Sequence, residues 1–224
     1  MKSNSNEILR KKICPSTGTL AIFDKSDRAQ QLCLWQVFRD LKIRRNSKVA
    51  DVGAGSGWLT VRLAAFVGPQ GKIYAVEILP RYVSYIEEEI KKHKLNNVEV
   101  ILGTTTDPKL PENALSAVMI LIAYHEFEKP ITMLTKIRGA MKIGARLGIL
   151  ERDNNQMRKE AREAYAKTGY ILHRVNETLA DNFVTNEHYL ALDIVVREAK
   201  LVGFTFLFAR ELGGDYYIAV FVNS

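Results

Sequence analysis

Cysteine is scarce: Cys14 and Cys33 are the only two in 224 residues, too few for a disulfide framework or a cysteine metal cluster. Histidine occurs four times, and no two stand at the i, i+4 spacing of a helical zinc pair. Metal dependence is therefore not expected. No apolar run approaches the roughly 18 residues needed to cross a bilayer; the longest, 117–123, has the length of a buried strand. Residues 1–16 mix charged and polar groups without the apolar core of a secretory signal. The expectation is a cytoplasmic protein that does not bind membranes.

What is present is ordinary for a globular chain. Hydrophobic residues make up 47%, enough to bury a sizeable core, and the length suits one domain. The net charge of +7 is uneven. Residues 1–150 carry 23 Lys and Arg against 14 Asp and Glu, while the remainder carries 9 against 11. A basic surface can attract nucleic acid. Here the basic clusters at 10–12, 42–48 and 91–94 fall on different elements, which favours ordinary solvated faces over an RNA-binding surface.

Hydrophobic periodicity and breakers divide the chain into alternating strands and helices. A first helix is expected over 26–41 with Ser26 as N-cap. Then follow a strand at 48–53, a helix at 57–67 stopped by Gly68-Pro69, and a strand at 72–77. Pro80 opens a helix to about 93. Strands at 98–102 and 115–122 come next, the second almost wholly apolar, as in a parallel sheet covered on both faces. Pro130 starts a helix to 141, followed by a strand at 147–150. The segment 152–185 is polar and weakly helical around 157–167. Asn186 is placed as the cap of a helix over 187–201, and strands at 204–209 and 216–222 form a hairpin across Gly213-Gly214. The expectation is an α/β fold: a mostly parallel seven-stranded sheet, helices on both faces, and a C-terminal antiparallel hairpin. No repeat or linker argues for a second domain, so 1–224 is read as one unit. Its parts are an arm (1–25), a ligand-binding half (26–151), a substrate-covering insertion (152–185), and a closing helix and hairpin (186–224).

The most informative stretch is Asp51-Val52-Gly53-Ala54-Gly55-Ser56-Gly57-Trp58, between an apolar strand and an amphipathic helix. Glycine lets the backbone turn sharply and lets a ligand approach closely. The following helix presents free N–H groups suited to an anion. A dinucleotide fingerprint needs G-x-G-x-x-G, but Trp58 stands where its third glycine should be. Glu77 ends the second strand twenty residues after Gly57, where a carboxylate can accept hydrogen bonds from vicinal ribose hydroxyls.

These residues resemble the class I S-adenosylmethionine-dependent methyltransferases, over about 48–204. Residues 51–57 match that family's first motif and Val76-Glu77-Ile78 its second-strand acid. Ile137-Arg138-Gly139-Ala140-Met141-Lys142 and 198–204 resemble its fourth helix and the junction before its closing hairpin. The resemblance implies a Rossmann-like fold and S-adenosyl-L-methionine as cofactor, with S-adenosyl-L-homocysteine as product. It implies that Asp51 reaches the cofactor's amino group, that Gly53, Ala54, Gly55 and Gly57 shape its loop, and that Glu77 holds the ribose. Ile78 would cover the adenine, Gly103, Thr104 and Thr105 would lie near the adenine amino group, and Ala123 would contact the cofactor. Three positions depart from the pattern: Thr104 and Ser116 replace Asp, and Ile143-Gly144-Ala145 replaces Pro-Gly-Gly.

For the chemical step a positioned base is worth roughly 10²–10⁴-fold. Ala123-Tyr124-His125-Glu126-Phe127 follows the fourth strand, and histidine is the side chain that can titrate near neutrality. His125 and Tyr124 are the first candidates for base or substrate contact. The alternative is that these rings pack or end the strand. Glu151 and Asp153 are weaker candidates; His173 and His188 read as surface or lid residues. A small-molecule acceptor is the leading expectation. An RNA or protein methyltransferase is the second: Val67-Gly68-Pro69 and 97–103 are similar to isoaspartyl protein methyltransferases. A non-catalytic cofactor-binding scaffold is the third. Neither the acceptor atom nor the oligomeric state is legible.

Overall fold

The structure, a computed structural model, describes residues 27–153 and 190–224. Its elements are α1 (Arg28–Gln31), α2 (Leu34–Asp40), β1 (Lys48–Val52), α3 (Trp58–Val67), β2 (Lys72–Glu77), α4 (Pro80–Lys92) and β3 (Val98–Leu102). After these come β4 (Leu115–Leu121), a 3₁₀ turn (Tyr124–Glu126), α5 (Pro130–Ala140) and β5 (Met141–Arg152). The chain closes with α6 (Leu192–Leu201), β6 (Phe204–Glu211) and β7 (Tyr216–Asn223).

All seven strands share one sheet in the order β3-β2-β1-β4-β5-β7-β6. β3, β2, β1, β4 and β5 run parallel, and β7 lies antiparallel to β5 and β6. The α/β class, the mostly parallel sheet and the terminal hairpin are therefore as expected. The order reverses at β1, which has β2 on one side and β4 on the other. Parallel strands all present their carboxyl ends at the same edge, and a ligand crevice opens where the order reverses.

Each strand residue points to the opposite face from its neighbour, and the core divides accordingly. Ala117, Met119 and Leu121 of β4 pack in one cluster with Val37 and Phe38 of α2 and Leu59 and Leu63 of α3. Val118 and Ile120 pack in the other, with Leu134 and Ile137 of α5 and Val195 of α6. Helices thus cover both faces. Leu115 joins the same cluster as Val118 and Ile120 despite its odd number, because the β4–β5 register shifts between Leu115 and Ala117.

Three boundaries differ from expectation. The first helix is broken: Cys33 takes a left-handed conformation, φ 46°, between α1 and α2. The Gln31 carbonyl accepts the N–H of Gly213 at 3.2 Å, so the β6–β7 turn takes an acceptor that a continuous helix would use. Ser26, its expected cap, lies outside the described residues. Second, the strand expected at 147–150 begins at Met141, directly after α5, and includes an irregularity where Gly144 adopts φ 82°. Third, the last helix starts at Leu192 rather than 187. Ala191 is extended, and the Leu192 N–H is accepted by Asp153 Oδ2 at 3.2 Å. Asn186, the weak helix around 157–167, the arm and all of the expected insertion 152–185 except its first two residues lie outside the described residues; Arg152 ends β5. Among the described residues no helix is long and apolar enough to cross a membrane.

Candidate functional site

The carboxyl ends of β2, β1 and β4 surround a cavity of about 520 Å³, within the ~300–1,000 Å³ usual for small-ligand sites. From β1 and the loop after it, Asp51, Gly53, Ala54 and Gly55 line it; from β2, Glu77 and Ile78; beyond β3, Thr104 and Thr105; beyond β4, Ala123. Nine of the eleven residues expected around the cofactor thus share one wall. Gly57 and Gly103 are not on it.

The loop's shape follows from its glycines. Gly53, Gly55 and Gly57 have φ of 78°, 53° and 75°, a region that costs other residues roughly 1–2 kcal/mol. The N–H groups of Gly53 and Ala54 both donate to the Val76 carbonyl at 3.0 Å, folding the loop against β2. A Cβ at Gly53 would collide with Cβ of Ala123, whereas at Gly55 it would meet nothing within 4 Å. Gly55 thus leaves open space where a ligand backbone can lie close to the loop. Gly57 caps α3 without a side-chain hydrogen bond. Gly53→Ala should lower stability by about 1–3 kcal/mol, read as a reduced Tm, and Ala123→Gly in the same chain should restore only part of it, because φ stays positive.

Glu77 is the structural centre of the loop. Its Oε2 accepts the Gly55 N–H at 3.0 Å, and its Oε1 accepts the N–H groups of Ile78 at 2.7 Å and Leu79 at 3.2 Å. A carboxylate has about four acceptor sites. Three are occupied by backbone donors, and among the described residues one on Oε2, on the loop side, is left. The residue that ends β2 therefore also fixes the glycine loop of β1.

Asp51 is 1% exposed and accepts the Thr60 hydroxyl on Oδ2 at 2.6 Å. Burial pushes its pKa up from 3.8 to about 7. The Thr60 hydrogen bond opposes this rise, the Glu77 charge adds to it, and Arg28 opposes it. An acid so poorly solvated suits a ligand cation.

Thr104 and Thr105 reach the cavity wall, but the Thr104 hydroxyl is turned into its own bend. It accepts the Asp107 N–H at 2.9 Å and the Thr106 N–H at 3.3 Å. Ser116, the other departure, donates to the Lys48 carbonyl at 3.0 Å and joins the starts of β4 and β1.

Tyr124 and His125 are placed otherwise than expected. Both are 0% exposed and neither lines the cavity. The Tyr124 hydroxyl donates to Glu198 at 2.7 Å, towards α6. His125 Nδ1 lies 3.0 Å from Oε2 of Glu151, itself fully buried. The 3₁₀ turn swings successive side chains about 120° apart, so Tyr124 and His125 enter the protein while Glu126 and Phe127 reach the cavity. Among the described residues both rings thus pack inside the protein, the alternative reading of this stretch, and neither lines the cavity. Glu151 and Asp153 are likewise removed from the rim, one by its pairing with His125 and the other by capping α6. His173 and His188 lie outside the described residues.

Sequence reasoning missed Arg28, Trp58 and Glu126. The Arg28 guanidinium lies 4.6 Å from the Trp58 ring centroid and that of Arg62 3.9 Å, so two cations lie against the indole. Trp58 is buried on the cavity wall, and its indole N–H has no acceptor among the described residues. The Trp58 substitution in the glycine pattern was the available signal, read as a departure from one motif and not as a wall of the site. No group of three or more His, Cys, Asp or Glu suited to a metal ion occurs among the described residues.

S-adenosylmethionine fits this set of groups. The open face at Gly55 admits a close ligand, Asp51 suits an ammonium, the last acceptor site of Glu77 suits a ribose hydroxyl, and the apolar Ile78 suits an adenine face.

Comparison with known proteins agrees. Residues 43–187 match the family described as "Methyltransferase domain". The chain is 29% identical over 102 residues to a protein-L-isoaspartate O-methyltransferase of Ignicoccus hospitalis, covering 46% of this chain and 48% of that one. It is 28% identical over 108 residues to a demethylmenaquinone methyltransferase of Geobacillus stearothermophilus, covering 48% and 46%. It spans about half the length of these curated relatives. A crystal structure of a SAM-dependent methyltransferase from Aquifex aeolicus shares the fold, with a TM-score of 0.74, 20% identity, and coverage of 92% of this chain and 97% of that one. The chain belongs to the class I S-adenosylmethionine-dependent methyltransferase family.

Proposed function

We propose that this chain catalyses methyl transfer from S-adenosylmethionine to a small-molecule acceptor, and that its described elements act as one domain. The carrying observation is the 3.0 Å hydrogen bond from the Gly55 N–H to Glu77 Oε2, which ties the glycine loop and the strand-end acid into one cavity wall. In this reading Asp51 holds the ammonium, Glu77 the ribose, Ile78 and the Thr104-Thr105 bend flank the base, and Ala123 sits beside the loop. When bound, the cofactor supplies a methyl group made electrophilic by a sulfonium. The protein's task is then to orient and to exclude water. Orientation alone supplies ~7–11 kcal/mol in ideal cases.

The wall's charge supports a small acceptor over RNA. Beyond Asp51 and Glu77, which this reading gives to the cofactor, the described lining carries two acids, Glu126 and Glu128, and one cation, Arg28. Such a surface repels a phosphate backbone, whose binding depends on Lys and Arg contacts. It likewise disfavours an anionic acceptor, the isoaspartyl carboxylate of the Ignicoccus relative included. Phe127, Met133 and Ile122 give the same cavity apolar walls for an acceptor body. The test is incubation of the purified chain with methyl-labelled S-adenosylmethionine and, separately, a low-molecular-weight metabolite pool, bulk RNA and isoaspartyl peptide. Label is expected in the metabolite pool. Label in RNA or peptide alone contradicts the acceptor class, and binding of the cofactor without transfer to any pool supports the scaffold reading instead.

A further inference from the structure

The 3₁₀ turn after β4 presents one ionisable side chain to the cavity, Glu126, and sets an unusual pair behind it. His125 Nε2 lies 3.8 Å from Glu126 Oε1, and His125 Nδ1 lies 3.1 and 3.0 Å from the two oxygens of Glu151. The imidazole is thus sandwiched between two carboxylates, one fully buried and one facing the cavity. An imidazolium here balances at most one of the two carboxylates.

The position of the Glu126 carboxylate follows from strand order. Glu77 stands at the end of β2, Asp51 at the end of β1, and Glu126 just beyond β4, across the switch point from Glu77. The sulfur of an S-adenosyl ligand joins its ribose end to its amino-acid end. A ligand held by Glu77 and Asp51 would have its sulfur between them, and beyond β4 two acids line the cavity, Glu126 on the 3₁₀ turn and Glu128 after it, of which Glu126 is the one backed by His125 and Glu151. Glu126 and Glu77 sense each other's charge, as groups on one cavity do.

Resting on the cofactor assignment above, we propose that Glu126, backed by His125 and Glu151, reads the charge on the ligand's sulfur and makes the site prefer the sulfonium cofactor to its neutral thioether product. Burial raises the Glu126 pKa; His125 opposes the rise, and Glu151 and Glu77 add to it. An acid kept from full solvation by its surroundings gains most from an incoming cation. Loss of the positive charge at sulfur then loosens the spent ligand, which favours exchange.

Calorimetry on the full chain with S-adenosylmethionine, S-adenosylhomocysteine and the amine-bearing analogue sinefungin tests this. The parent should bind both cationic ligands more tightly than S-adenosylhomocysteine. In Glu126→Gln the preference should fall about tenfold, the scale of one pKa unit of charge–charge interaction, with S-adenosylhomocysteine affinity unchanged. That unchanged affinity also reports an intact fold, and Glu126→Asp should restore part of the preference. Lowering the pH should shrink the parent's preference as Glu126 takes a proton. Asp51 and Glu77 on the strands meet groups that the product retains, so their effects cancel in the ratio; Arg28 on α1 and Glu128 also line the cavity, and Glu128→Gln should keep the parent's preference. A preference equal in parent and Glu126→Gln overturns the proposal while leaving the cofactor site intact, as does equal weakening of all three ligands. Failure of every ligand to bind the parent overturns both.

Discussion

The Asp51→Asn variant is expected to melt at a higher temperature than the parent at pH 8 in the absence of ligand, although it removes an acid at the heart of the site. Asp51 has a folded pKa of about 7 against 3.8 when solvated. Because the folded value is raised, its contribution to stability is fully present below about pH 4. That contribution is lost progressively as pH rises, until the group is ionised in both states above pH 7. At 1.36 kcal/mol per unit, the buried charge costs up to about 4 kcal/mol at pH 8. Asparagine keeps an oxygen for the Thr60 hydroxyl and carries no charge. A gain of about 2–4 kcal/mol is expected at pH 8, vanishing near pH 4, in thermal melts across that range. A variant less stable than the parent at pH 8 would contradict the raised pKa.

The same substitution should weaken the cofactor. A ligand ammonium stabilises the ionised Asp51, so binding releases a proton below pH 7, and affinity falls as pH is lowered through that value. Asparagine removes both the charge and its pH dependence. A charge-assisted contact is worth about 1.5–3 kcal/mol, so affinity should fall roughly 10- to 200-fold at pH 8. Stability and binding thus move in opposite directions, as at sites where function maintains strain.

Glu77→Ala should lose on both counts. Its carboxylate accepts three backbone hydrogen bonds: the one from Gly55 bridges β2 and the glycine loop, and those from Ile78 and Leu79 fix the turn out of β2. Removing the carboxylate leaves these donors without their acceptor, at about 1–3 kcal/mol for each that stays buried. Calorimetry with S-adenosylhomocysteine should record a loss of at least about 1.5–3 kcal/mol, and the ligand-free melt should fall as well. Unchanged affinity removes Glu77 from the site; lost affinity with an unchanged melt contradicts its role in holding the loop.

The features readable in advance were those set by local pattern. The glycine spacing at 53–57, the strand-end acid at 77 and the apolar run of β4 each encode their own geometry, and together they point to the sheet and to one side of the cavity. Contacts between distant residues were not readable in this way. The break at Cys33 depends on Gly213, nearly two hundred residues away, so periodicity alone joined α1 to α2. Arg28 reaches the cavity because that break lets α1 lie over Trp58. Around 124–127 the chain leaves β4 by a 3₁₀ turn, and one residue of rotation separates inside from outside. Choosing His125 by its residue type therefore selected the side chain beside the one that lines the cavity. At Thr104 the sequence left a hydroxyl available to adenine, and only the bend itself reveals that Asp107 and Thr106 already occupy it.

A crystal structure of the chain with S-adenosylhomocysteine tests the central geometry most directly. The adenosyl group should lie between Gly55 and Ile78, a ribose hydroxyl within hydrogen-bond distance of Glu77 Oε2, and the amino group towards Asp51. A ligand seated in any other cavity, or with its ribose turned away from Glu77, would contradict the assignment.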